Sequence, residues 1–308
     1  MQIEKINNEP RVLIGTNEMV KVKEFLRKAE IRVTNGGHGS KIKKVSATEY
    51  MCTDTGEVKE YAKSSVDRSE NAKEMKRSFK KLRDLINTNF GGYPNEFFIT
   101  LTYKENMTDP KRLYTDFEKF RKKMTYHFGK FEYINVAEPQ ERGAWHCHVL
   151  CKFKTGTKLD YKKVNDLWVH GSFVNVKQLD NVDNVGAYLS AYLTDIECSE
   201  VTMNDEIELY GTLEGALIVD KLVEVNGQKV SKKFIKGGRL KYYPKGMNLY
   251  RTSRGIKKPK EYVMKKSEFI ANKKAISDNV EMTFNQSITV KDDTGNIINS
   301  VKYENYKY

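Results

Sequence analysis

Two imidazoles one residue apart, His146 and His148, lie in the run Trp145-His-Cys-His-Val-Leu-Cys151, and about forty residues later two phenols, Tyr188 and Tyr192, stand four apart. On a strand both histidines point the same way, because successive side chains alternate between faces. On a helix both tyrosines share one face. Imidazoles on one face make a metal clamp, and a phenol is an oxygen nucleophile able to form covalent esters. Together they point to phosphodiester chemistry on DNA.

A third ligand is at hand. Glu138 precedes His146 across a stretch containing Pro139 and Gly143, and closing a hairpin there brings its carboxylate beside both rings. Two histidines and a carboxylate suit Mn²⁺ or Mg²⁺. Cys147 points to the opposite face, so it cannot turn the pair into a zinc site. A phenol titrating near about pH 10 is a poor nucleophile at neutral pH. A divalent ion on the scissile phosphate would withdraw charge and hold phosphorus in line with the attacking oxygen. The products would be a phosphotyrosyl ester and a free 3′-hydroxyl. Because that ester retains the energy of the broken bond, the same centre could rejoin the strand with no nucleotide cofactor.

Positioning these groups requires regular elements around them. From Phe97 to Tyr103 apolar residues alternate so that Phe97, Ile99, Leu101 and Tyr103 face one way and Phe98, Thr100 and Thr102 the other, a half-buried strand. Asp109-Pro110 caps a helix in which Leu113, Phe117, Phe120, Met124 and Phe128 repeat at helical period before Gly129. Runs from Phe131 to Ala137 and from Trp145 to Phe153 form a hairpin; a helix over Leu159 to His170, a short strand over Ser172 to Lys177 and a helix over Val182 to Glu197 follow. A basic helix is predicted from Asp67 to Asn89, a hairpin around Asp54-Thr-Gly56, a helix from Lys260 to Lys273, and a last hairpin around Asp292-Asp-Thr-Gly295. The central order is β-α-β-β-α-β-α. That predicts an α+β fold: a ferredoxin-like (RRM-like) antiparallel sheet with helices on one face and the other face partly open for the site. Three segments are expected, a basic accessory segment over 1–92, the nuclease over 93–200 and a basic accessory region over 201–308.

Charge narrows the partner. The 308 residues include 54 Lys and Arg against 41 Asp and Glu, a formal net charge of +13, which suits a polyanion. Cations at Arg239, Lys241, Lys245, Arg251, Arg254, Lys257 and Lys258 interleave with Tyr242, Tyr243 and Tyr250, so charges could follow phosphates while rings stack on bases. No run approaches the roughly 20 apolar residues of a membrane span, and no secretory signal opens the chain, so a cytoplasmic protein without a membrane partner is expected. Four cysteines without a C-x-x-C pair predict reduced, structural thiols. A G-x-x-x-x-G-K-[ST] phosphate loop is missing, which leaves strand separation to a host helicase.

The residues from Lys73 to Pro259 resemble rolling-circle replication initiators of the HUH endonuclease superfamily, the Rep proteins of Gram-positive plasmids and phages. Phe97 to Tyr103 is similar to the family's first motif. Glu138 to Leu150, with Arg142-Gly143, is similar to its metal motif, and Asn184 to Asp195 to its tyrosine motif. The resemblance implies His146, His148 and Glu138 as metal ligands, Tyr188 and Tyr192 as nucleophiles, and Arg142 with the later basic residues as DNA contacts. It also implies single-stranded or locally melted origin DNA as substrate and the host replication machinery as partner. One departure stands out: the family's tyrosine motif commonly has lysine three positions after a tyrosine, where this chain has Ala191 and Asp195. Lys177 or a later arginine could replace that cation. Two other readings use the same residues: a relaxase or single-strand transposase with the same chemistry, and a ferredoxin-like nucleic-acid-binding module without catalysis.

Overall fold

The computed structural model describes residues 2–7, 17–34, 42–46, 48–52, 55–60, 72–140, 143–171, 173–179, 196–197, 218–225, 228–235, 242–244, 246–291, 293–295 and 297–308. The first elements are β1 (Gln2–Asn7), β2 (Met19–Glu24), β3 (Lys28–Thr34), β4 (Ile42–Lys44), β5 (Glu49–Cys52), β6 (Val58–Glu60) and α1 (Ala72–Asn89). Then come β7 (Glu96–Leu101), α2 (Pro110–Phe128), β8 (Glu132–Pro139), β9 (Trp145–Lys152), α3 (Tyr161–Leu167) and β10 (Val174–Gln178). The remainder are β11 (Ile196–Glu197), β12 (Ile218–Val225), β13 (Gln228–Ile235), β14 (Tyr250–Thr252), β15 (Lys260–Lys265), α4 (Lys266–Lys274), β16 (Glu281–Lys291) and β17 (Ile297–Lys307). The fold is α+β with antiparallel sheets. Among the described residues no helix is long and apolar enough to cross a membrane.

Two compact units emerge, Met1–Ser64 with Pro259–Tyr308, and Ser65–Lys258. The segment expected to hold the nuclease, 93–200, lies inside the second unit. The first unit joins the two ends of the chain because they build one sheet, ordered β1-β16-β17-β3-β2-β15. Its core gathers Val20, Val22, Ala29, Ile31 and Tyr306 around Phe269 of α4. The helix predicted from Lys260 starts only at Lys266, since Lys260–Lys265 pairs with β2. Alternation explains the difference: Tyr262 opposite Val22 and Met264 opposite Val20 extend the apolar face.

In the second unit a five-stranded sheet runs β10-β7-β9-β8-β14, antiparallel throughout. Phe97, Ile99 and Leu101 of β7 and Cys147, Val149 and Cys151 of β9 meet Leu113, Phe117, Phe120 and Met124 of α2 and Val164 and Leu167 of α3. The predicted alternation of β7 and β9 is thus realised. Helix α2 has the ends its sequence announces: Asp109 accepts a hydrogen bond from the Lys111 N–H at 2.8 Å, Pro110 opens the helix, and Gly129 leaves it at φ 86°.

The opposite face is not left open. Ile134 and Val136 of β8 and Leu150 of β9 pack against Leu82 and Ile86 of α1 and against Phe90. This corrects the expectation of helices on one face only. The imidazole face carries an apolar half that must be buried, and the apolar stripe of α1 buries it. A buried carboxylate secures the link from α1 to β7: Glu96 accepts from the N–H groups of Gly91 and Gly92, 2.8 Å each, and pairs with Lys152 at 2.9 Å.

The helix predicted over Val182 to Glu197 falls outside the described residues except at its end. There Ile196 and Glu197 form strand β11, opposite Ile235 and Phe234 of β13. The pairing satisfies backbone groups at the edge of β13 that would otherwise need water.

If α1 is integral to the imidazole face, Ile86→Ala leaves a cavity there and costs about 2–5 kcal/mol. Urea unfolding measures this; a loss below about 0.5 kcal/mol, the scale of a surface substitution, would contradict the packing.

Candidate metal centre

Strand register assembles the site. The β8–β9 hairpin sets Glu138 opposite His146 and Val136 opposite His148, while β7 sets Thr100 opposite His148 and Phe98 opposite Leu150. Cross-strand partners share a face, so Glu138, His146, His148, Thr100 and Phe98 lie on one side of the sheet. Glu138 Oε2 and His148 Nε2 are in direct hydrogen-bond contact. On the far side of the ring, Nδ1 is 3.2 Å from the Thr100 hydroxyl oxygen. Phe98 stacks on the same imidazole, with centroids 5.4 Å apart and planes inclined by 10°. The His146 ring stands 6.4 Å from that of His148 at 72°, and its Nε2 is buried.

Burial governs the protonation of this group. Taking the His148 imidazolium out of water pushes its pKa down to about 4, so the ring is neutral near pH 7. A carboxylate can only accept, so the ring proton sits on Nε2 and points at Glu138, and Nδ1 accepts from the Thr100 hydroxyl. Three contacts therefore fix the orientation of His148: the acid in front, the hydroxyl behind and the aromatic plane beside it.

The donor types fit a divalent ion: imidazole nitrogens and a carboxylate oxygen on adjacent strands in a buried place. Thr100 makes the exchange of partners possible. With a cation at Nε2 the proton moves to Nδ1 and is donated to Thr100, and a hydroxyl can serve in either sense. Among the described residues, no three His, Cys, Asp or Glu side chains stand grouped around one ion position. The structure brings Glu138 and His148 together and keeps His146 one ring-width away.

Tyr188 and Tyr192, with Ala191 and Asp195, lie outside the described residues, as do Arg142, Arg239, Lys241 and Lys245. Lys177 on β10 is exposed and lies opposite Phe98, which puts it on the imidazole face. Arg251 lies on β14 at the sheet edge, and Arg254, Lys257 and Lys258 are exposed on the segment that follows.

That basic segment is clamped at two points. Glu132 accepts from the Ser253 hydroxyl and from the Gly255 N–H at 3.0 Å. A Cβ on Gly255 would lie 2.3 Å from the Glu132 carboxylate, so the approach needs glycine. Further on, the Asn89 side chain donates to the Lys257 carbonyl and accepts from its N–H, both at 2.8 Å. The sequence reading missed Thr100, Phe98, Glu132 and Asn89. Alternation along β7 already set Phe98 and Thr100 on the polar face, and the register with β9 adds their partner.

Residues 96–197 match the family model of the replication-associated protein ORF2, which is consistent with a rolling-circle replication initiator. The matched stretch runs from the first residue of β7 to the last of β11 and contains Glu138, both histidines and both tyrosines. No curated protein and no solved structure matches the chain.

The burial of His148 has a pH signature in the metal-free protein. The unfolded ring binds its proton near pH 6.5 and the folded one only near 4. Between those values the unfolded state holds the extra proton, so stability falls as the pH drops through this window. Urea midpoints should fall more steeply over it for the native protein than for His148→Gln. Parallel slopes would show that the ring is not held neutral.

Proposed function

We propose that this chain nicks and rejoins single-stranded origin DNA through a metal-assisted tyrosine nucleophile, as a rolling-circle replication initiator. The observation that carries the reading is the buried contact of Glu138 with His148, braced by Thr100, within the same matched stretch that contains Tyr188 and Tyr192. The order β7-α2-β8-β9-α3-β10, with strands arranged β10-β7-β9-β8, supports the ferredoxin-like, HUH-type assignment of this layer. The replication family match supports a role in DNA replication.

In this reading His146, His148 and Glu138 hold Mn²⁺ or Mg²⁺. The ion, when bound, withdraws charge from the scissile phosphate. Thr100 and Phe98 keep the His148 ring aimed. Tyr188 or Tyr192 supplies the phenolic oxygen: its bond to phosphorus forms, the bond from phosphorus to the 3′-oxygen breaks, and that oxygen leaves as a hydroxyl after taking a proton. The reverse step, attack by a 3′-hydroxyl on the phosphotyrosyl ester, reseals DNA and needs no nucleotide cofactor. Two phenols allow one to hold a strand while the other attacks. Lys177, exposed on the imidazole face, can supply the cation that Ala191 and Asp195 do not. Substrate must reach the phenol as a single strand, so a locally melted origin and a host helicase complete the scheme.

The decisive experiment incubates the protein and Mn²⁺ with single-stranded oligonucleotides tiling the DNA molecule that encodes it. A denaturation-resistant protein–DNA adduct should form with one of them, persist in at least one of Tyr188→Phe and Tyr192→Phe, and vanish in the double variant. Glu138→Gln should slow its formation by about 100-fold or more, the scale on which removing a charge-stabilising group acts. Strong binding of the strands with no adduct from any of them would favour the non-catalytic module and overturn the proposal.

A further inference from the structure

The second unit also carries a cationic cleft away from the imidazoles. Lys111, Lys119 and Lys122 lie along the exposed flank of α2 and, with Tyr114, Thr115, Glu118 and Arg251 from the edge strand β14, line a cleft of about 520 Å³. Helix α2 covers the sheet face opposite the one that bears His148, so this cleft opens on the other side of the sheet.

Its charges are unbalanced. Glu118, the acidic group of the lining, is already met by Arg121, which donates two hydrogen bonds to it at 2.8 and 3.0 Å. Lys119 has a single long contact, 3.6 Å, with Asp116. Four cations therefore face solvent around one neutralised carboxylate, an arrangement that repels itself unless an anion joins it.

The aromatic group in the lining discriminates among anions. The Arg251 guanidinium sits 3.5 Å above the centroid of the Tyr114 ring, and the Tyr114 hydroxyl donates to the Asn248 carbonyl. The ring also packs against the core cluster of α2. With its faces taken, Tyr114 has no surface for an unstacked base, and stacking is what single-strand sites rely on. The lining groups that remain are phosphate binders: ammonium groups on a rigid rod and a guanidinium fixed in orientation. From Lys111 to Lys122 the stripe spans about 16 Å of helix rise, enough to follow several successive phosphates of one strand of a duplex, which lie about 3.4 Å apart along its axis.

We propose that this cleft grips the phosphate backbone of duplex DNA, the double-stranded flank of the site whose single strand the opposite face would process. The proposal rests on nucleic acid being the partner of the chain, and does not depend on cleavage. Contacts of this kind set orientation and affinity without reading sequence. Arg251 acts by anchoring the cleft's end, and the clamps of Glu132 and Asn89 on the segment after it keep that end from moving.

The test uses the full chain with a fluorescein-labelled duplex of mixed sequence and, separately, its labelled single strand, followed by anisotropy over a range of salt concentrations. The triple variant Lys111→Ala, Lys119→Ala, Lys122→Ala should bind the duplex about tenfold or more weakly at low salt. Its slope of log affinity against log salt should be smaller by about 3, the number of phosphate contacts removed. Single-strand affinity should change less than twofold, and the triple Lys→Arg variant should restore duplex binding, which separates lost charge from a damaged helix. An unchanged duplex affinity and slope, an equal loss on the single strand, or failure of the arginine variant to restore binding would each overturn the proposal. Adduct formation on single strands is read independently, so this result and that of the nicking reaction can fail separately.

Discussion

The register of β7 and β8 on β9 is the constraint on which the site depends. It puts Thr100, His148 and Glu138 side by side across three strands, with Phe98 stacked on the ring. A slip of one residue in β9 would turn His146 and His148 into the α2 core and push Cys147, Val149 and Cys151 to the other face. The core resists that slip, since those three side chains are almost fully buried among apolar neighbours. Packing on one face of the sheet thus holds the chemistry of the other in place. Within the site, a buried carboxylate and a buried imidazole tolerate one another because the ring is neutral and donates to the acid, and because the Thr100 hydroxyl completes the ring's hydrogen bonding.

Much of this layer is legible from residue types alone. The alternation of β7 and β9, the Asp109-Pro110 start and Gly129 stop of α2, and the hairpin from Glu138 to His146 all follow from local rules and are present. Local rules stop at partners. The apolar stripe of α1 is visible in the sequence, but not that it covers the apolar half of the imidazole face, because amphipathicity says that a face is buried and not against what. Lys260–Lys265 reads as helical because its charges are spaced like those of the helix after it; pairing with β2, a contact distant in sequence, makes it a strand. Thr100 reads as a polar strand residue, and only the cross-strand register reveals it as the brace of His148.

Charge is organised as well as abundant. The excess of 54 basic over 41 acidic residues would by itself favour any polyanion. The structure orders part of it: a lysine stripe on α2 that ends at Arg251, followed by exposed Arg254, Lys257 and Lys258 on a segment clamped by Glu132 and Asn89. Clamping matters because cations held in place lose less conformational freedom when a phosphate arrives. The imidazole site and the lysine cleft then occupy opposite faces of one sheet, so contacts that orient DNA are separated from groups proposed to react with it.

The central claim is that Glu138, His146 and His148 are ligands of one divalent ion. Binding of Mn²⁺ alone, in the absence of DNA, tests it most directly: titration followed by electron paramagnetic resonance counts bound ions and detects nitrogen from coordinating imidazole. The account predicts one high-affinity ion coupled to histidine nitrogen, with Thr100→Val weakening it about 10–100-fold through loss of the brace on His148 and Glu138→Ala abolishing it. Tight Mn²⁺ binding without nitrogen coupling, or binding indifferent to Glu138 and His148, would contradict it.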